Sequence, residues 1–321
     1  MSENTLDDIS ATAIHYAGVN ALRLEWPVGH TIQYGVSVGF ENESKFNELK
    51  YTVKITRLAP GEQGEPLFQL ERIGDVFIND YLPDLIADRL AYTAGKVFYP
   101  LVLVLDGNGG FVSVYNHRSI LNRWEDVKQQ IENEFEGEMV DNYLDLMGAL
   151  LESPEHTQIA FLNNDWFINT FFKPLYKKYN VDQHIETLYK FPLPQDFRID
   201  GYLIKERLNG QTNDFGGIEL YHHGELLPIA EDFLDFSPKG NYNCTYLLHP
   251  KYKHIVSATA DLQYCDTREV NVKVRISIIP PDGVSFDHDF QVHNRENQLP
   301  ISDMKIIDGP SRTGFWQNLF K

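Results

Sequence analysis

Apolar and polar residues that alternate over ten positions commit a segment to a half-buried strand, and this chain repeats that pattern along most of its length. In TIQYGVSVGF, residues Ile32, Tyr34, Val36, Val38 and Phe40 occupy every second position. In LKYTVKITRL, Leu49, Tyr51, Val53 and Ile55 share one face, with Lys50, Thr52, Lys54 and Thr56 on the other. The two read as antiparallel neighbours, followed by a shorter strand in PLFQLERIG. FYPLVLVLDGNGGFVSVYN is a hairpin, because Asp, Asn and Gly accept the positive φ of a tight reversal. Strand patterns return in FRIDGYLIKERL, GGIELYHHGEL, HIVSATADLQYC, EVNVKVRISII and VSFDHDFQVH.

Between these stretches the period changes to that of a helix. Leu82, Leu85, Ile86 and Leu90 predict a helix over 82–93, and Ile120, Leu121, Trp124, Val127, Ile131 and Phe135 a longer one from Ser119. Val140, Tyr143, Leu144, Met147 and Leu151 mark another over 139–152. Ser153-Pro154-Glu155 has the N-cap, first-turn proline and early acid of a helix start. The densest apolar cluster, Trp166, Phe167, Ile168, Phe171, Phe172, Leu175, Tyr176 and Tyr179, predicts a helix over 166–179 that is apolar nearly all round. Such a helix is buried between layers or offers a surface to a partner.

The expected class is therefore α+β, with predominantly antiparallel curved β-sheets in two β-rich halves and a helical layer, about 119–180, between or against them. Its parts are a flexible N-terminal arm (1–20), a first β-rich segment with one helix (21–118), a helical segment (119–190), a second β-rich segment (191–300) and a C-terminal tail (301–321). Long antiparallel strands covered by helices on one face resemble the half-barrel carriers of lipids or lipoproteins, a likeness of architecture that assigns no residues.

Charge narrows the partners. With 46 acidic and 28 basic residues the chain carries −18, so nucleic acid and anionic membranes are repelled, and the acidic excess reads first as solubility, with a charge-matched basic partner as the alternative. MSENTLDDIS is acidic where a signal peptide is basic, and no apolar run reaches the length of a membrane span, which sets the expectation of a soluble, cytoplasmic protein. Cys244 and Cys265 form no disulfide framework and read as reduced core thiols.

Contiguous catalytic signatures are absent: there is no Gly-x-Ser-x-Gly, phosphate loop, Gly-x-Gly-x-x-Gly or His-Glu-x-x-His. Asp106 and Asn108 begin like a calcium loop, but His117 stands where the bidentate acid belongs. Asp287, Asp289 and His293 are the best candidate metal ligands, although on a strand His288 faces away from both aspartates. His222-His223 beside Gly224 reads as a turn flank. His249 and His254 bracket a basic, aromatic turn that could meet a phosphate. No cofactor is expected. The leading reading is a non-enzymatic protein-binding module using Trp166, Phe167, Phe171, Phe172, Phe315, Trp316 and Phe320. The alternative is a carrier of an apolar small molecule in a sheet–helix cavity. A dispersed, metal-assisted enzyme comes third.

Overall fold

The computed structural model describes residues 19–42, 45–180, 184–193, 201–213, 216–227, 238–265 and 269–280. Eleven strands form one antiparallel, curved sheet. Its members in chain order are β2 (Thr31–Asn42), β3 (Lys45–Arg57), β4 (Leu67–Ile78), β5 (Leu101–Leu105), β6 (Phe111–Val114), β8 (Ile185–Tyr189), β9 (Tyr202–Thr212), β10 (Ile218–Leu226), β11 (Lys239–Leu248), β12 (Ile255–Cys265) and β13 (Glu269–Ile278). In space the order is β6-β5-β4-β3-β2-β13-β12-β11-β10-β9-β8. A separate ribbon pairs β1 (Val19–Ala21) with β7 (Lys178–Asn180).

The two β-rich segments are thus not two sheets. They meet where β2 pairs with β13, with Val38 opposite Val274 and Val36 opposite Ile276. The alternation that makes each strand also lets one apolar face run across the seam, so joining the halves removes two edges and makes one continuous core.

The helices are α1 (Ile86–Gly95), α2 (His117–Glu134), α3 (Glu138–Leu151), α4 (Pro154–Asn164) and α5 (Trp166–Phe171). At the start of α4, Ser153 accepts a hydrogen bond from the His156 amide at 3.1 Å, as its N-cap sequence predicts. α5 lies on the inner face over β2, β12 and β13. Phe171 meets Tyr34 edge-on at 5.0 Å, Trp166 meets Phe40 at 6.2 Å, and Tyr246 donates to the Thr170 carbonyl at 2.9 Å.

The expected 14-residue helix over 166–179 is not what forms. α5 stops at Phe171, and the chain then turns and enters β7 at Lys178. Pro174 explains the break, since it lacks an amide for the helix and disfavours the helical conformation at Lys173. The hairpin forms as read, with Asp106 Oδ1 accepting the Asn108 and Gly110 amides at 2.8 and 2.7 Å. Gly109 has φ +84°, and a Cβ there would lie 2.5 Å from the Tyr176 ring, so this loop must pass bare backbone over the chain leading to β7.

Candidate functional site

The sequence candidates fall into two groups. Trp166, Phe167, Phe171 and Phe172 are all buried and belong to the core rather than to a surface, because α5 is sandwiched against the sheet. Phe315, Trp316 and Phe320, and the metal candidates Asp287, Asp289 and His293, lie outside the described residues. Among the described residues no group of three or more His, Cys, Asp or Glu is placed to hold a metal ion, and no helix is long and apolar enough to cross a membrane. Of the two cysteines, Cys244 is buried but Cys265 is exposed, which corrects the reading of both as core thiols.

His222 and His223 also require correction, since they sit mid-strand in β10 and not beside a turn. Gly224 is there for close approach: a Cβ would meet the Leu203 carbonyl oxygen at 2.7 Å. His249 instead organises the β11–β12 turn, its Nδ1 accepting the Lys251 and Tyr252 amides, both at 3.1 Å. His254 packs beneath it with ring centroids 4.8 Å apart, and 5.4 Å from Trp26. That cluster is spent on packing.

Two features hold the unusual chemistry, and among their residues His222 and Cys244 already stand out in the sequence, but in other roles. One is a buried polar row. Glu206 of β9, His222 of β10 and Cys244 of β11 are direct cross-strand neighbours on the inner face. Glu206 is fully buried and accepts from Tyr189 Oη at 2.8 Å and Tyr179 Oη at 3.3 Å, while Lys177 Nζ pairs with it at 2.7 Å. Burial alone would raise the carboxyl pKa, but His222 and then Lys177 and Tyr189 outweigh it and hold Glu206 below its ordinary value. Burial pushes His222 down to about 4, so the ring is neutral at pH 7, and neither ring nitrogen has a hydrogen-bond partner. Burial drives the Cys244 thiol up to about 12. The row has the composition of a Glu–His–Cys triad without an activated nucleophile, because a buried thiol of that pKa is not a thiolate at neutral pH.

The other feature is a cavity of about 90 Å³ between β4 and helices α1, α3 and α4. Ala91, Phe98, Met147, Leu150 and Phe161 give it apolar walls. Thr157 and Asn164 also line it, but they donate to helix carbonyls at Leu150 and Ala160. Arg72 reaches it from β4. Its guanidinium stacks on Tyr99 and Tyr51, with centroids 4.6 and 5.2 Å away, and donates to Tyr99 Oη at 3.2 Å. Nε is buried with no hydrogen-bond partner. Burial opposes the charge on Arg72, but Tyr99, Tyr51 and Asp165 more than offset it and hold its pKa above the ordinary value.

Arg72 and Glu206 both carry the same sequence signal. Each is a charged residue in the buried register of its strand, after Phe68 and Leu70 in one case and after Tyr202 and Ile204 in the other.

No family model matches the chain, and no curated protein matches it. Among solved structures it is similar to one entitled "Lipid-protein interactions in lipovitellin", at 10% identity and a TM-score of 0.44, over 87% of this chain. The chain spans 28% of that protein's length.

Proposed function

We propose that the chain is a carrier of a small apolar molecule with an acidic head, held between β4 and the helical layer. The observation behind this reading is Arg72, whose buried Nε lacks a hydrogen-bond partner at the wall of a cavity with apolar sides, which Tyr143, Thr157, Asn164 and Asp165 also line. A buried donor without an acceptor costs free energy, and a carboxylate from a ligand would satisfy it with a charge-assisted hydrogen bond. A cavity of 150 Å³ holds benzene, so the space beside Arg72 suits about four heavy atoms, the size of a short-chain carboxylic acid. A protein-binding role drawn from Trp166, Phe167, Phe171 and Phe172 has less support, since the fold buries all four.

Isothermal titration with acetate, and with acetamide as the uncharged counterpart, tests the reading. Saturable acetate binding that weakens about tenfold in Arg72→Met, with acetamide unaffected, is the expected result. Acetate binding no better than acetamide, or equal in the variant, would overturn it.

A further inference from the structure

A larger cleft of about 430 Å³ opens between β1, β7 and the Asp106–Gly109 loop. Its size is that of a small-molecule site. Four cationic residues line it, Arg23, Arg57, Lys177 and Lys178, against one acidic residue, Asp106. In a chain with 28 basic and 46 acidic residues this is a local reversal of sign.

The surroundings hold the cations in place. Pairing of Ala21 with Lys178, and the Leu22 amide donating to the Lys177 carbonyl at 3.0 Å, fix the ribbon that carries Lys178 and is flanked by Arg23 and Lys177. Arg57 is oriented by a hydrogen bond to the Trp26 carbonyl. Asp106 has Oδ1 committed to two amides of its own loop, so it is bound up in the turn. Lys177 is shared, since its ammonium also neutralises buried Glu206.

We propose that this cleft binds a small polyvalent oxyanion, a phosphate ester or a polycarboxylate, with Arg23, Arg57 and Lys178 as its principal contacts. Two guanidinium forks match the paired oxygens of either group, and the concave wall limits the ligand to a small molecule. This is independent of the Arg72 reading, because the two spaces share no lining residue.

Calorimetric titration with pyrophosphate and, separately, with citrate at low ionic strength is the test, with the full chain compared to two double variants. Arg23→Gln with Lys178→Gln removes two cleft cations, and Lys205→Gln with Lys273→Gln removes the same charge from exposed sheet positions. Saturable binding of at least one anion, reduced about tenfold or more by the first pair and about twofold or less by the second, is the expected result. Tighter binding of pyrophosphate assigns the phosphate class, and tighter binding of citrate the polycarboxylate class. Absence of saturable binding for both anions, or equal losses in the two double variants, would overturn the proposal.

Discussion

The inner face of the sheet is built from the same alternation on both sides of the β2–β13 seam, yet the two sides bury different chemistry. On the β2–β5 side the buried register reads Tyr34, Val36, Val53, Ile55, Leu70 and Leu103, and the rings of α5 and Phe172 fill the space above it. On the β9–β11 side the register carries Glu206, His222 and Cys244, and the cover is Tyr179, Tyr189, Lys173 and Lys177. The first side is stabilised by area and shape. The second must satisfy each charge locally: Glu206 has Lys177, Tyr179 and Tyr189 as partners, while burial holds His222 neutral.

The largest expected effect lies on the apolar side. Phe171→Ala empties the centre of the ring cluster and should lower unfolding free energy by about 4 kcal/mol in chemical denaturation. A loss below about 1 kcal/mol would mean that α5 is not the keystone of that half.

On the polar side the effects depend on pH. His222 and His254 are both driven down to about 4 by burial, from about 6.5 in an unfolded chain. Each group binds its proton more weakly when folded, so its contribution is complete above pH 6.5 and is lost as the pH falls towards 4. Between pH 6.5 and 5, ahead of most carboxylate titration, the loss should be about 1.5 kcal/mol per histidine. His222→Gln should remove half of that slope. An unchanged slope would show that the ring is not buried uncharged.

The smallest effect has the opposite sign. Lys173 is buried over the rings of Tyr189 and Phe191, 4.2 and 4.8 Å from their centroids, and burial lowers its pKa to about 8. Its charge at pH 7 therefore costs stability. Lys173→Met should gain about 1 to 2 kcal/mol after the lost cation–π contact is allowed for. The gain should shrink as the pH rises from 8 towards 10.5, where the native lysine is neutral. Destabilisation at pH 7 would show that the ammonium has a partner worth more than its desolvation.

Much of this architecture is legible in the sequence, because period-two patterning acts residue by residue. Both strands of the hairpin, the capped start of α4 and most long strands are read directly. β11 escapes notice although Tyr242, Cys244, Tyr246 and Leu248 alternate cleanly, since Asn241 and Asn243 between them disfavour strands. The end of α5 is set by Pro174, which the aromatic density around it obscures. The joining of β2 to β13 spans more than two hundred residues, and nothing local encodes it. The site residues hide for a related reason: Arg72 and Glu206 break their strand patterns by one position each, and only tertiary placement shows what surrounds them.

The central claim, that an apolar acid docks beside Arg72, is tested most directly at Met147. This methionine lines the cavity, whereas Met139 of the same helix is exposed. In methyl-labelled protein, titration with acetate should shift the Met147 methyl resonance saturably and leave Met139 unmoved, and Arg72→Met should abolish the shift. A Met147 signal that stays fixed in the native chain, or moves equally in the variant, would contradict the account.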